Sequence, residues 1–378
     1  MKKLLALLLA LCMVFSLAAC GGEAAADNKE TAANTEAHDH DHDHDHEEET
    51  PSTVTVETVY GPVEVPYAPE RICVLDLSTM DTIDALGLGE NVATLSWHKH
   101  YPAHLEGYYT SETIISLQTA RNNNKGNSAE ATNPTEETTD PNEVYYGIDA
   151  DLIIGTNEKI TEELYAILSQ IAPTVTLEPA LECADGIYAG MRANAVTVAS
   201  IWGLDVQLEE LDAQYAALCA AMEGKTFVMA SGDTELSSLK VANAENAESG
   251  MAEGKNKKSN TVNAVQLLEE MGMVEVTTQV PQDVTSEAIA AAVEAGTSNE
   301  DAAKMVIDGI NSIAPDVVVI WNHSYVDLED VRANGFDLLG VEDLTGGTCY
   351  ISKGIGYAAG GLTSVTQVLN ELADIFLN

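Results

Sequence analysis

Basic residues are scarce in this chain of 378 residues, which carries 17 lysines and arginines against 61 aspartates and glutamates, a formal net charge of −44. So large an acidic excess repels phosphate backbones and anionic lipid headgroups. The charge therefore excludes nucleic acid as a partner and disfavours polyanionic ligands unless local cations offset the field. Without residues 1–56, 50 acidic and 14 basic residues remain, so the rest of the chain alone stays near −36.

Cysteine is also sparse, and its spacing lacks the pattern of a metal or redox centre. The chain has six cysteines and no C-x-x-C, which argues against a zinc ribbon and a thioredoxin-type site. Four follow residue 56, namely Cys73, Cys183, Cys219 and Cys349. One or two disulfides among them would be permitted outside the cell, and their pairing stays open. Cys73 lies in an apolar stretch, where cysteine is typically a small buried hydrophobe.

Motifs that define common enzyme classes are missing. The sequence contains no G-x-S-x-G, no Walker loop, no H-E-x-x-H and no G-x-G-x-x-G after the first predicted strand. The segment AGGL, residues 359–362, has two glycines but lacks the other residues of a phosphate-binding loop. These absences predict a binding protein without a catalytic cofactor, and an anchored metal-dependent enzyme is the alternative from another class.

Long apolar runs are absent too, and the most apolar segment begins the chain. Residues 1–20, MKKLLALLLALCMVFSLAAC, place two lysines before an apolar run, which is typical of a secretory signal and too short for a transmembrane helix. The end of this segment, Leu17-Ala18-Ala19-Cys20, resembles the lipobox of bacterial lipoproteins. The resemblance implies that Cys20 is lipidated and anchors an extracytoplasmic protein to the outer face of the cytoplasmic membrane.

Residues 21–56 show no apolar periodicity, which predicts a disordered acidic tether. Inside it, histidines alternate with aspartates at His38, His40, His42, His44 and His46. Imidazole and carboxylate ligands suit zinc or nickel, so a weak auxiliary metal site is predicted here, with a solvated acidic spacer as the alternative. A tight site needs ligands held by surrounding partners, so the main site is expected elsewhere.

Beyond the tether, short apolar strands alternate with helical patterns. Strands are predicted at ERICVLDL, NVATLSW, DADLIIG and PTVTL, and the alternation restarts with KTFVMASG and VVVIWN. This order predicts parallel sheets covered by helices. We therefore predict an α/β protein with two Rossmann-like lobes, residues 57–186 and 225–378, joined by a long linker helix over residues 187–224 that Gly203 could break. Two polar stretches, 118–143 and 233–260, are predicted to be long loops.

Six segments follow one another along the chain: GPVEVPYAPERICVLDLSTMDTIDALGLG, IDADLIIGTNEK, TEELYAILSQIAPTVTL, RANAVTVASIWG, SIAPDVVVIW and GYAAGGLTSVTQVLNELADIF. This ordered set resembles the cluster III substrate-binding proteins of ABC importers, which carry ferric siderophores, haem or cobalamin. The segments cover nearly all of residues 54–378 and are most similar to the ferric-siderophore branch. The resemblance implies a rigid linker helix, a ligand in the cleft between the lobes, and delivery to an ABC permease and its ATPase. It also implies that Asp81 is a permease-docking acid. We expect a monomer.

Candidate ligand residues follow from the rule that open α/β sheets bind ligands beyond the carboxyl ends of their strands. The rule and the neighbouring glycines select Trp97, His98, His100, Asn157, Trp321, His323, Tyr325 and Tyr357. Histidine can complete a metal's coordination, and aromatic rings supply apolar walls, although Trp97 and Trp321 could equally be core residues. His104, beyond Pro102, has the weakest claim. The shortage of arginine favours a neutral or weakly anionic ferric chelate, and zinc, nickel, haem and cobalamin are the alternatives.

Overall fold

The structure, a computed structural model, describes residues 51–98, 101–117, 145, 147–232, 240–241, 260–322, 341–351 and 360–378. Within these ranges, no helix combines the length and apolar character that crossing a membrane requires. The predicted signal peptide, Cys20, the histidine tract and most of the two predicted long loops lie outside the described residues.

The described part begins with an antiparallel hairpin of β1 (Thr53–Val56) and β2 (Val63–Pro66). Gly61 has a φ of +102°, the left-handed conformation that glycine adopts without strain, in the turn between the strands. The last four residues of the segment 21–56 pair with β2 and bury Val56.

The first larger sheet has the strand order β5-β4-β3-β6-β7, and all its strands are parallel. The strands are β3 (Ile72–Val74), β4 (Val92–Ser96), β5 (Ile115–Leu117), β6 (Leu152–Thr156) and β7 (Thr174–Leu177), and the helices that accompany them are α1 (Leu77–Ala85), α2 (Glu106–Tyr109) and α3 (Glu162–Leu168). Both faces are apolar, as a parallel sheet buried on two sides requires. Val74 and Ile154 lie in the core on one face, and Cys73 and Ile153 in the core on the other.

The second larger sheet has the order β10-β8-β11-β12 in parallel, with β9 antiparallel to β8. Its strands are β8 (Thr226–Gly232), β9 (Lys240–Val241), β10 (Val274–Glu275), β11 (Val317–Asn322) and β12 (Gly347–Ile351), and its helices are α6 (Asn260–Glu270), α7 (Ser286–Glu294), α8 (Asn299–Ile313) and α9 (Leu362–Phe376). The predicted α/β fold with two parallel-rich sheets is confirmed. We call the part around the first sheet the first lobe and the part around the second sheet the second lobe.

Two helices join the lobes in sequence, within the linker region in which Gly203 was expected to allow a break. They are α4 (Ile187–Ile201) and α5 (Glu209–Met222), and the chain breaks between them at Gly203, where φ is +62°. α4 belongs to both cores, since Ile187 and Met191 pack with the second lobe, and Val198 and Ile201 pack with the first. This shared helix helps to make Pro51–Asn378 one compact unit.

The cysteines whose side chains the structure describes, Cys73, Cys183 and Cys219, are free thiols. Cys73 is fully buried, as its apolar surroundings predict. Burial raises the pKa of its thiol well above the ordinary value. These three residues therefore form no disulfide with one another.

Candidate functional site

Asp76 organises the carboxyl edge of the first sheet. It follows β3 and caps α1, where its carboxylate accepts hydrogen bonds from Thr79 N at 2.8 Å and Ser78 Oγ at 2.7 Å. The same carboxylate accepts a hydrogen bond of 2.6 Å from Thr156 N at the end of β6. The chain runs from β3 towards β4 and β5 and then returns to β6 and β7 on the other side. Open α/β sheets bind ligands beyond the carboxyl ends at such a switch point.

Three of the predicted ligand residues lie at this edge. Trp97 and His98 directly follow β4, Asn157 directly follows β6, and all three are partly exposed. Because β3 lies between β4 and β6, the two groups are two strand spacings apart, roughly 10 Å. Their placement at strand ends agrees with the sequence pattern. Their contact with a ligand stays a prediction.

The ring of His98 is bonded to Ser96. Ser96 Oγ lies 2.8 Å from the carbonyl oxygen of Leu75 and 3.0 Å from His98 Nε2. With the hydroxyl hydrogen of Ser96 on the carbonyl of Leu75, Nε2 of His98 is the donor to Ser96. In that tautomer the lone pair available to a metal is on Nδ1.

A group of aromatic rings beside His98 was largely missed by sequence reasoning. The rings of Tyr101 and Tyr109 stack with centroids 4.6 Å apart and planes at 8°, and the ring of His98 meets Tyr109 edge-on at 6.1 Å. Burial, together with Asp76 and Tyr101, raises the pKa of Tyr109 above its ordinary value, so the phenol stays neutral at physiological pH. We call His98, Tyr101 and Tyr109 the aromatic wall. Tyr109 was not predicted as a site residue because its helix, α2, spans only four residues and gives no helical pattern in the sequence.

Asp81 lies in α1 and is completely buried, with 0% of its surface exposed. Its Oδ1 is 2.6 Å from Nε2 of His104, and its Oδ2 accepts a hydrogen bond of 2.9 Å from the backbone N–H of Ser364. Burial raises the pKa of this carboxyl, and the hydrogen bonds from His104 and Ser364 act in the opposite direction. The prediction that Asp81 docks onto a permease is wrong, because a docking carboxylate must be accessible to the partner's arginines. His104 is a partner of Asp81.

The second lobe contributes less to the described site. Trp321 lies one residue before the end of β11, where it pairs with Ser231 of β8 and Ile351 of β12. Its position at a carboxyl end agrees with the prediction. The other four predicted ligand residues, His100, His323, Tyr325 and Tyr357, lie outside the described residues and stay predictions.

Helices α1 and α9 bring the two lobes together. α1 begins directly after the carboxyl end of β3, and α9 follows β12 in the second lobe. The two helices pack against each other, and the hydrogen bond from Ser364 to Asp81 joins the first turn of α9 to the middle of α1. The carboxyl edge of the first sheet therefore lies close to the start of the helix that follows the second sheet.

A cavity of about 490 Å³ lies elsewhere in the second lobe. It is lined by Glu300, Ala303, Lys304, Ile307, Asp308, Asn311, Glu342 and Asp343. Because α8 ends shortly before β11 begins and Asp343 precedes β12, Asn311 and Asp343 in this lining are near the amino ends of the strands, whereas Trp321 is at a carboxyl end. Among the described residues, no group of three His, Cys, Asp or Glu side chains is placed to hold a metal ion.

Several solved structures have a similar fold. The siderophore-binding protein BauB, solved with two molecules of acinetobactin and ferric iron, matches with a TM-score of 0.50 and 15% identity, over 85% of this chain and 97% of its own. The petrobactin-binding protein YclQ from Bacillus subtilis matches with a TM-score of 0.49 and 18% identity, over 86% of this chain and 98% of its own. The catecholate-siderophore-binding protein VctP from Vibrio cholerae matches with a TM-score of 0.49 and 16% identity, over 85% of this chain and 99% of its own. No protein-family model and no curated protein matches the sequence. The chain thus has the two-lobe fold of a periplasmic binding protein.

Proposed function

We propose that this protein is the extracytoplasmic solute-binding lipoprotein of an ABC importer, and that it captures a ferric siderophore and delivers it to the permease and its ATPase. The fold match carries the proposal, because it spans 97% of BauB, a protein solved with a ferric siderophore complex. The ligand would lie beyond the carboxyl ends of the strands, where open α/β sheets bind small molecules. This is the edge where the aromatic wall is found.

The chemistry of the edge supports one class of chelate. The stacked rings of Tyr101 and Tyr109 supply the flat apolar surface that is common in small-molecule sites. The net charge of −44 opposes a highly anionic ligand. We therefore propose a neutral or weakly anionic ferric chelate that contacts the wall through its organic part. Because Nε2 of His98 is hydrogen-bonded to Ser96, this ring would have to use Nδ1 to contact the iron.

A binding titration of the detergent-solubilised full chain tests the proposal. Ferric hydroxamate, catecholate and citrate-type chelates, their iron-free forms, haem, Zn²⁺ and Ni²⁺ would each be added while tryptophan fluorescence is recorded. We expect one ferric chelate to quench with a Kd below about 1 µM, and its iron-free form to bind more weakly. Stoichiometric binding of zinc or nickel alone, or of haem, would show that the protein carries that ligand and not a ferric chelate.

The histidine tract is proposed as an accessory that raises the local metal supply. Deleting residues 36–49 should leave chelate affinity within about threefold, because a flexible segment contributes little preorganised binding energy. A loss of tenfold or more, about 1.4 kcal/mol, would place the main site in the tract.

The lipid anchor is proposed from the lipobox at Cys20. Cys20→Ser should release the protein from membranes, since stable anchoring needs more than one acyl chain and serine cannot carry the thioether-linked lipid. Cys12→Ser, which changes the other cysteine of the same segment, is the matched control and should stay membrane-bound. Retention of the Cys20→Ser protein after a salt wash would contradict the anchor.

A further inference from the structure

Two helices of fifteen residues, α4 and α9, begin at a glycine N-cap and so have no cap side chain to accept hydrogen bonds from their first turn. Each uses a carboxylate from a distant part of the chain. Glu270 accepts hydrogen bonds from Ile187 N at 2.6 Å and Tyr188 N at 3.2 Å in α4. Asp81 accepts one from Ser364 N at 2.9 Å in α9. Such a carboxylate satisfies N–H groups that would otherwise lack a partner, and the helix dipole stabilises its charge.

The cap of α9 connects the two lobes. Asp81 and Thr82 belong to α1 of the first lobe, and they accept hydrogen bonds from Ser364 N and Leu362 N of α9 in the second lobe. Gly361 permits the approach, because a Cβ on this residue would overlap the carboxylate of Asp81. We call these two side chains together with the first turn of α9 the interlobe cap. It explains Gly361 of the AGGL segment, whose missing side chain brings α9 close to α1, whereas Gly360 lies against Ala180.

The same carboxylate also holds the turn that connects two residues of the aromatic wall. His104 Nε2 lies 2.6 Å from Oδ1 of Asp81, and His104 belongs to the 3-10 turn Ala103–Leu105. This turn connects Tyr101 to α2, which carries Tyr109. The side chain of His104 is 23% exposed, whereas that of Asp81 is 0% exposed. One buried carboxylate therefore binds the turn between the two stacked tyrosines and the first turn of a helix in the other lobe.

We propose that Asp81 is a positioning residue that fixes the aromatic wall of the first lobe relative to the first turn of α9 in the second lobe. Asp81 does not touch the ligand; it acts through His104 on one side and through Ser364 on the other. The inference rests on the proposed function, because the aromatic wall is a ligand surface only if the chelate binds there. A helix cap with a purely local role would affect α9 and leave the wall in place.

Amide hydrogen exchange on the ligand-free full chain tests the positioning role without any ligand. In Asp81→Asn we expect exchange to rise about tenfold or more both in residues 362–365 and in residues 101–109, since the amide offers one neutral acceptor oxygen in place of two charged ones and turns its NH2 group towards one of the two donors. Glu270→Gln is the matched control: it removes the carboxylate that caps α4 and should leave residues 101–109 within about twofold. Faster exchange in residues 362–365 alone would overturn the proposal and leave Asp81 as a local cap.

A second pair of variants tests the link without removing the buried carboxylate. His104→Ala deletes the donor to Asp81, whereas His104→Gln can keep an N–H donor near the same place. We expect exchange in residues 101–109 to rise about fivefold or more in His104→Ala and to stay within about twofold of the parent in His104→Gln. Equal exchange in both variants and the parent would overturn the proposal, and this comparison serves if Asp81→Asn does not fold.

Chelate affinity then connects the cap to function. With the ferric chelate that binds the parent protein best, we expect Asp81→Asn and His104→Ala to weaken binding about fivefold or more, mainly through faster dissociation, and His104→Gln and Glu270→Gln to stay within about twofold. Parent-like affinity in Asp81→Asn and His104→Ala would overturn the functional role of the cap. If the parent bound none of the chelates, the proposed function would fail, and the exchange experiment would still decide the positioning role.

Discussion

The ring of Tyr101 lies parallel to the ring of Tyr109, with the centroids 4.6 Å apart, in the segment that follows the carboxyl end of β4. Both tyrosines pack against the core of the first lobe on one side, together with Val74 and Ile154. The pair is thus rigidly supported from within. A rigid aromatic surface at the carboxyl edge of a parallel sheet is suited to contact a small ligand, because little conformational entropy is lost on binding.

The stacked pair leads to a first prediction about affinity. Tyr101→Ala removes a ring contact of a kind that contributes about 0.5–1.5 kcal/mol, so we expect the affinity for the ferric chelate to fall roughly 2- to 12-fold. Tyr101→Phe keeps the ring and should bind within about twofold of the parent. Fluorescence titration of both variants checks this. An equal loss in Tyr101→Phe would assign the contact to the hydroxyl group and contradict an aromatic wall.

A second prediction concerns Tyr108, whose hydroxyl donates a hydrogen bond to Asp84. Burial and Asp84 raise the pKa of Tyr108 to about 12, above the ordinary value of about 10. Between these values the folded protein keeps a proton that the unfolded chain loses. The stability that Tyr108 contributes is therefore present below about pH 10 and is lost as the pH rises towards 12.

Urea unfolding of the parent and of Tyr108→Phe at several pH values above 9 checks whether Tyr108 loses its stabilising effect as the pH rises. We expect the free energy of unfolding of the parent to fall more steeply with pH than that of Tyr108→Phe, because the variant lacks the titrating hydroxyl. Parallel curves would show that Tyr108 ionises equally easily in the folded and the unfolded protein.

A third prediction concerns Gly361, the N-cap of α9. Its φ of −76° suits any residue, so Gly361→Ala should act only through the overlap of the new Cβ with Asp81. We expect a loss of about 1–3 kcal/mol in the free energy of unfolding, as for other overpacked positions. Gly107→Ala, in α2 with open space around a Cβ, is the control and should be neutral or stabilise by up to about 1 kcal/mol. A neutral Gly361→Ala would show that α1 and α9 are less closely packed than described.

A fourth prediction concerns Asp76, which caps α1 and also accepts a hydrogen bond from Thr156 N in the buried sheet. Asp76→Ala loses a cap, worth about 1 kcal/mol, and leaves a buried N–H unsatisfied, which costs about 1–3 kcal/mol more. We expect a total loss of about 2–4 kcal/mol. Ser298→Ala removes the exposed cap of α8 and should cost only the first of these amounts. Equal losses in the two variants would contradict a structural role of Asp76 between β3 and β6.

The sheets could be predicted from sequence because their signal is local. A parallel strand covered on both faces must be apolar throughout, and Ile72–Val74 and Val317–Asn322 satisfy this within a few residues. Strand ends are local as well, so the positions of Trp97 and Asn157 at strand ends were predicted correctly, and their contact with a ligand stays a prediction. The break at Gly203 was also visible, since glycine after a helical pattern is a stop signal.

The role of Asp81 could not be predicted in the same way. From the sequence alone it is a carboxylate near the start of a helix, and its partner Ser364 is 283 residues away in the chain. The segment AGGL did contain a sign, because a helix that begins after two glycines lacks a side-chain cap and needs one from elsewhere. The hydrogen bond between Ser96 and the ring of His98 could not be predicted either, since it depends on how Ser96 lies against Leu75 in the fold.

The position of iron in crystals of the protein grown with its preferred ferric chelate tests the central claim most directly. Diffraction data collected on both sides of the iron absorption edge would locate the metal without reference to any assumed pose. We predict one iron peak per chain in the space beyond the carboxyl ends of β4 and β11, with the organic part of the chelate against Tyr101. An iron peak at the histidine tract of residues 38–46, or beside Asp308 and Asp343 on the amino side of the second sheet, would contradict the account.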